Sequence, residues 1–498
     1  MRYVLGVDLG TSAVKVLLVN ERGEVCKQVT KSYPLYQDKP GYSEQDPEDW
    51  LNQTIEAISE VTSEASDPEA IDGISFSGQM HGLVLLDQEQ RVLRPAILWN
   101  DTRTTNECRE IEQTLGKEIL LAIAKNPALE GFTLPKLLWV KKYEPDVFAR
   151  ANVFMLPKDY VRFRLTGKIH SEYSDAAGTL LFDVAKKEWS KDICSCFELP
   201  ISLCPPVVPS SGEVGELLPE IAAKTGLKKD VRVFAGGADN ACGAIGAGIL
   251  KDGATLCSIG TSGVVLSYEQ AADQDFAGKV HYFNHGEATA YYTMGVTLAA
   301  GYSLSWFKET FAPEEPFENI VKEIEKSPPG ANGLLFTPYI VGERTPHADA
   351  TIRGSFIGVH AGHKRHDFTR AVIEGITFSL NESIEIFRKN GKDISTVVSI
   401  GGGAKSPAWL QLQADIFQAK VIKQSSEQGP GLGAAMLAAY GLGWYDSLAD
   451  CAEAWVKEQE SYEPNAEKGK AYEELFTLYR HVYEQTYELN HGLSKFRE

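Results

Sequence analysis

Two aspartates stand out by their settings. Asp8 closes the apolar run "VLGVDLG" and is followed by Gly10, Thr11 and Ser12; Asp239 closes "VFAGGAD" and is followed by Asn240. A carboxylate at the end of an apolar strand, among glycines and alanines, packs poorly and leaves room for a ligand. Each has an ordinary reading, because aspartate caps turns and helices through local side-chain hydrogen bonds. Together they have a chemical one. Phosphoryl transfer to an alcohol requires a carboxylate to take the hydroxyl proton, a magnesium ion beside the phosphates, and donors that cradle those phosphates. Asp239 has the setting of the base, with Asn240 to orient a hydroxyl. Asp8 has the setting of the metal-side carboxylate, next to backbone N–H groups and the Thr11 and Ser12 hydroxyls.

Two further groups belong with them. "SGQMHG" and "AILWNDTRT" place Gln79, His81, Trp99, Asp101 and Arg103 at loop positions between strands. Sugars are bound by such sets, with bidentate polar groups on hydroxyls and an aromatic face against the chain. A structural histidine at 81 and a plain Asp101–Arg103 salt bridge are the ordinary alternatives. "GGGAKS", residues 401–406, is a glycine run that enters a helix, a setting that favours an anion or a flat ligand.

These residues need elements to hold them. "RYVLGVDLG" and "AVKVLLV" read as strands, and "VCKQVTKSY" as a third. The first Gly-Thr-Ser loop thus joins strand to strand, whereas a P-loop or a dinucleotide loop joins strand to helix. A helix follows at "DPEDWLNQTIEAISEVT", with Asp46 as N-cap and Pro47 at its first position. Then comes the strand "IDGISFSG". The order β-β-β-α-β departs from a simple doubly wound sheet. "GATLCSIGTSGVVLSY", from Gly253, repeats strand, Gly-Thr-Ser, strand. The expectation is an α/β protein of two like domains, 1–245 and 246–498, that face each other across a cleft, each offering a hairpin to one ligand.

A net charge of −19 over 498 residues excludes a general nucleic-acid binder. No apolar run is long enough to span a bilayer, Met1 leads directly into a strand with no signal segment, and the eight cysteines show no metal spacing. A cytoplasmic location without membrane contact is expected. The sequence carries no signal for oligomeric state; a homodimer is the assembly expected.

"GVDLGTSAVKV", "FSGQMHG", "AILWNDTRT", "GFTLPKLLWVKKYEP", "GGADNACGAIGAG", "SIGTSG", "RGSFIGVHAGHKRHDFTRAVIEGI" and "SIGGGAKSPAWLQLQADIF" occur in this order and together resemble the FGGY family of carbohydrate kinases. The blocks run from residue 4 to about 440. One departure is Tyr143, where the family carries a small polar or acidic residue. The resemblance implies two actin-like, ribonuclease H-like domains with an ATP and sugar cleft between them. It implies Asp239 as the base on the terminal hydroxyl of the sugar, and Asp8 with Asp239 beside Mg²⁺. Gly10, Thr11, Ser12, Gly260 and Thr261 would hold phosphates, and Gly402, Gly403 and Lys405 would lie near the adenosine. Met80, His81, Asp239 and Asn240 would contact a pentulose, with Gln79, Trp99, Asp101 and Arg103 around them. The "GQMHG", "LWNDTR" and "GADN" turns are most similar to those of members that phosphorylate D-xylulose. Members that use glycerol carry Arg-Glu where Met80 and His81 stand, and Gln where Asn240 stands. The competing expectations are a kinase of another ketose or polyol, and an actin-like ATPase that needs no sugar.

Overall fold

The opening segment is buried almost throughout and builds the first sheet. In the computed structural model, which describes residues 1–426 and 428–497, β1 (Tyr3–Leu9), β2 (Ala13–Asn20) and β3 (Val25–Ser32) form an antiparallel meander. Helix α1 (Pro47–Ser63) starts as its sequence dictates, with the Asp46 carboxylate accepting from Glu48 N. Strand β4 (Ile71–Gly78) then returns parallel to β1, and β5 (Arg232–Phe234) lies parallel to β4. The order across this sheet is β5-β4-β1-β2-β3, with the short strand Glu213–Glu216 outside β5.

The second half repeats the plan. Strands β6 (Ala254–Ile259), β7 (Gly263–Glu269) and β9 (Tyr291–Thr297) form the antiparallel part, with β8 (His281–Asn284) beyond β9. Strands β10 (Thr396–Gly401) and β11 (Lys420–Gln424) continue in parallel from β6. The order β11-β10-β6-β7-β9 therefore copies β5-β4-β1-β2-β3.

The period of two decides which face Asp8 occupies. Leu5, Val7 and Leu9 of β1 pack with Val14 and Val16 of β2 under α1. Val4 points to the other face with Leu17 and Val19, and Gly6 and Asp8 follow it there. That face is covered from two places in the chain. Helix α2 (Asp239–Gly246) follows β5, and helix α3 (Gly429–Gly441) follows β11 at the equivalent place in the second half. The small residues of "GADNACGAIG" and "GPGLGAAMLAAYG" let the two helices cross in backbone contact: a Cβ on Gly433 would lie 1.8 Å from Cys242 O, and one on Gly246 would lie 2.3 Å from Gly429 O. The largest apolar cluster runs from the second sheet through Phe283 and Tyr292 to Phe132 and Leu83, so the halves are joined by core as well. Among the described residues, no helix is long and apolar enough to cross a membrane.

Candidate functional site

Asp8 is the penultimate residue of β1. Its cross-strand neighbours are Lys15 on β2 and Ser77 on β4. Burial raises its carboxyl above the ordinary value, and Lys15 and Ser77 pull it part of the way back. Asp239 is the first residue of α2, where a helix N-terminus favours negative charge. Asn240 donates to Asp239 Oδ1 from its backbone N at 2.7 Å and from Nδ2 at 2.9 Å. Burial, and next the Asp8 charge, push the Asp239 carboxyl up to about 7. The two carboxylates, 231 residues apart in sequence, thus share one field.

The 79–81 turn sits beside them. Asn240 Nδ2 and the Tyr292 hydroxyl approach Met80 Sδ at 3.8 and 3.9 Å. His81 has φ of 69°, a left-handed conformation uncommon outside glycine. Three groups hold it there. Lys136 Nζ and Thr133 Oγ1 donate to its carbonyl at 2.9 and 3.1 Å, and its own Nδ1 donates to Gly178 O at 2.5 Å. Its ring packs on Phe132 at 4.6 Å. Burial, then the Lys136 ammonium, push the His81 imidazole down to about 3. The ring is therefore neutral at pH 7, with Nδ1 as donor and Nε2 left as an acceptor. Gly178 is required by this contact, since a Cβ there would stand 2.7 Å from His81 Nδ1 and 2.9 Å from Met80 Cε. Gly178→Ala is expected to displace both side chains. The sugar KM should rise roughly tenfold or more while the ATP KM and Tm stay near wild type, as misplacement of positioning groups by about 1 Å costs up to ~10²-fold. Steady-state kinetics in both substrates checks this, and equal changes in both KM values would count against it.

The other expected sugar contacts have partners within the protein. Arg103 makes a bidentate pair with Asp101, at 2.9 Å to Oδ1 and 2.6 Å to Oδ2, and a further ion pair with Glu44 at 2.7 Å. Its guanidinium lies 3.5 Å from the Tyr42 ring centroid, and its side chain is only 2% exposed. Asp101 also accepts from Ser43 N. The pair thus forms the salt bridge of the ordinary reading, braced by the 42–44 segment, while Arg103 Nη1 is buried without a partner. Gln79 is buried and turns to Gln45, whose Nε2 donates to Thr11 O at 2.7 Å. Trp99 is 48% exposed and donates from Nε1 to Thr11 Oγ1 at 2.9 Å. Trp99 is thereby tied to the first hairpin directly and Gln79 through Gln45, and Gln79 Oε1 is buried without a partner.

Both Gly-Thr-Ser loops are tight hairpins, closed by Gly10 N to Ala13 O at 3.0 Å and by Gly260 N to Ser262 O at 2.9 Å. Gly260, Thr261, Gly402, Gly403 and Lys405 meet around one cavity of about 890 Å³ on the second half. Gly401 enters it with φ of 78°, and Ser406 caps the following helix, Pro407–Phe417, by accepting from Trp409 N. Gly10, Thr11 and Ser12 do not line it; they remain on the first sheet. The opposite wall comes from Leu304, Phe317, Val321 and Lys322, which the sequence reading missed. Those residues belong to short helices, Gly301–Phe311 and Phe317–Lys322, whose patterns look like ordinary surface helices. Lys136, Phe132 and Gly178 were also missed, although "GFTLPKLLW" contained two of them.

Magnesium fits the donors present. Among the described residues, no group of three or more His, Cys, Asp and Glu could hold a metal on its own. Two buried carboxylates whose charges act on each other, with Lys15 beside Asp8, suit an ion that takes its remaining ligands from water and phosphate.

Two copies of one sheet order, two buried carboxylates whose charges act on each other and a cavity beside a glycine turn are the parts expected of an actin-like, two-domain kinase of small hydroxylated substrates. The N-terminal domain of the FGGY family of carbohydrate kinases matches residues 3–246, and its C-terminal domain matches residues 255–442. The chain belongs to that family. A xylulose kinase of Bacillus subtilis (strain 168) is 61% identical over 499 residues, covering 100% of both chains. Among solved structures, a ligand-bound xylulose kinase from Lactobacillus acidophilus superposes with a TM-score of 0.94 at 28% identity, over 98% of each chain. A gluconate kinase from the same organism gives 0.93 at 28% identity, over 97% of this chain and 98% of the other. Fold similarity at that identity does not separate one sugar from another.

Proposed function

We propose that the chain transfers the γ-phosphoryl group of ATP to the terminal hydroxyl of D-xylulose, giving D-xylulose 5-phosphate and ADP. The observation that carries this is the placement of Asp239, raised to about 7, against Asn240 and the Met80–His81 turn. The full-length likeness to a xylulose kinase at 61% identity supports the choice of sugar.

In this reading Asp239 accepts the proton of the attacking hydroxyl as its oxygen bonds to the γ-phosphorus and the bond to the ADP oxygen breaks. Asn240 holds Asp239 Oδ1 and so fixes which carboxylate oxygen faces the sugar. Neutral His81 offers Nε2 to a hydroxyl proton. Gly260, Thr261, Gly402, Gly403 and Lys405 hold the nucleotide, and Gly10, Thr11 and Ser12 approach the phosphates from the first sheet. Asp8 and Asp239 would hold Mg²⁺, which when bound neutralises charge on the phosphates. The cleft must exclude water, because water is a rival acceptor of the same group.

A coupled ATP assay across D-xylulose, D-ribulose, gluconate and glycerol tests the assignment. ATP turnover should depend on added sugar, with D-xylulose giving the highest kcat/KM. A higher value for another acceptor, or a rate independent of sugar, would overturn it.

A further inference from the structure

Helix α2 starts without a side-chain cap of its own, because its N-cap position is Ala238. The segment that leads into it, residues 235–238, is fastened from outside instead. Gly237 and Ala238 pair in parallel with Ser77 and Gly78 of β4. Three more bonds come from other parts of the first half. Arg162 Nη1 donates to Ala235 O at 2.5 Å, Gly236 N donates to Ser210 O at 2.9 Å, and Ala238 N donates to Ser174 Oγ at 2.9 Å.

All three lead back to one buried ionic cluster. Arg162 also donates to Asp159 Oδ1 at 2.8 Å. The hydroxyls of Ser210 and Ser174 donate to the Glu172 carboxylate at 2.6 and 2.9 Å. Lys158 Nζ joins the acids, 2.8 Å from Asp159, 3.2 Å from Glu172 and 3.0 Å from Asp175. The side chains of Lys158, Asp159, Arg162, Glu172 and Asp175 are all 0% exposed. The stem of Lys158 lies on β4, where a Cβ on Gly78 would stand 2.7 Å from Lys158 Cβ. Such a cluster yields little net stability, since desolvation offsets most of its Coulomb attraction. What it does supply is direction. Glu172 accepts from Ser174 N and Asp175 N at 2.8 Å each as well as from the two hydroxyls, so the Ser174 proton points to Glu172. The Ser174 oxygen is thereby left as an acceptor, and it meets Ala238 N–H.

We infer that Ser174, oriented by Glu172, is a positioning residue for phosphoryl transfer: it holds Ala238 N–H, keeps the entry to α2 seated on β4, and so fixes the Asp239 carboxylate one residue further on. The inference rests on the reading of Asp239 as the base. Without the Ser174 oxygen the Ala238 N–H is buried and unpaired, and the peptide before Asp239 can turn to find another partner. A shift of about 1 Å at a catalytic group costs up to ~10²-fold in rate.

The test compares wild type with Ser174→Ala, Ser171→Ala, Asp239→Asn and the Asp239→Asn/Ser174→Ala pair, by steady-state kinetics, calorimetric binding of D-xylulose and thermal melts. Ser171 is the control. It is equally buried in the same cluster, but its hydroxyl serves Asp159, at 2.8 Å, and not the 235–238 segment. In Ser174→Ala kcat should fall about 10- to 100-fold, while the Kd for D-xylulose and the KM for ATP stay within about threefold. Ser171→Ala should lower Tm by a similar amount and keep kcat within about threefold of wild type. The double variant should turn over within about threefold of Asp239→Asn alone, because a residue that acts through Asp239 has nothing left to position. Wild-type kcat in Ser174→Ala would overturn the inference. So would an equal kcat loss in Ser171→Ala, or losses that multiply in the double variant. If Ser174→Ala fails to fold, Glu172→Gln carries the same comparison: its amide puts a donor where the hydroxyls donate, so kcat should fall with sugar Kd held, and an unchanged kcat overturns the inference. An Asp239→Asn variant that turns over like wild type would remove the base reading itself; a slow Asp239→Asn beside an indifferent Ser174→Ala removes only this inference.

Discussion

Asp239→Asn should lower kcat by about 10²–10⁴, the span for a lost general base, while D-xylulose still binds. The replacement is close to isosteric. An amide oxygen at Oδ1 can keep both bonds from Asn240, at 2.7 and 2.9 Å, so the turn loses the base and little else. Turnover within threefold of wild type would remove Asp239 from that role. The pH behaviour gives a second readout. With the carboxyl pushed up to about 7 by burial and then by Asp8, kcat/KM of the wild type should fall as pH drops through that value, because the free enzyme then loses its ionised base. The same shift acts on stability with a definite sign. The folded carboxyl holds its proton at a pH where the unfolded one, near its ordinary 3.8, has lost it. Its favourable contribution is therefore complete below about 4 and disappears as pH rises through about 7. Thermal melts should show Asp239→Asn gaining on wild type at pH 8 relative to pH 4.5. A gain confined to the acid side would contradict a raised carboxyl.

Local rules read much of the frame correctly. Asp46 caps α1 and Ser406 caps the helix after the glycine run, where short-range hydrogen-bond chemistry places them. Both Gly-Thr-Ser segments are strand-to-strand hairpins, and the repeat announced by three letters extends to the order of five strands. Period two even assigns Asp8 to the face shared with Val4 and Gly6. Local rules fail where a side chain must choose between partners far apart in the chain. Arg103 and Gln79 are polar loop residues near the 80–81 turn, and nothing local says that Glu44, Tyr42 and Gln45 are their partners. Lys136 sits in an apolar helical run, and its use is visible only once the His81 carbonyl lies beside it. The helical wall of the cavity at the 401–406 turn is hidden for the same reason, since amphipathic spacing shows that a helix has a buried face but not what lies across from it.

The helix crossing yields the largest structural effect. Gly433→Ala would place a Cβ 1.8 Å from Cys242 O, 2.6 Å from Cys242 C and 3.0 Å from Cys242 Cα. All three are backbone atoms, which cannot rotate aside, so α2 and α3 must separate by more than an ångström. Overpacking of this kind costs about 1–3 kcal/mol and at times more, and the glycines on both sides of the crossing leave no slack: Gly246 already abuts Gly429 O, and Gly6 abuts Gly431 O. The damage should reach the chemistry, although Gly433 is not among the residues assigned to either ligand. Asp239 is the first residue of α2, and a Cβ on Gly431, in the first turn of α3, would lie 3.7 Å from Asp8 Cβ. Pushing the helices apart therefore moves the two carboxylates relative to each other, and kcat should fall by roughly 10- to 100-fold, with a lowered Tm. Gly492→Ala supplies the opposite expectation. That glycine lies in the C-terminal helix Ala466–Leu493 with nothing within 4 Å of its added Cβ, so alanine should leave kcat unchanged and hold or slightly raise Tm. Thermal melts and kcat on the two variants decide the matter: if Gly433→Ala melts and turns over like Gly492→Ala, the crossing does not set the spacing of Asp8 and Asp239, and the carboxylate pair must be held by β1 and β4 alone.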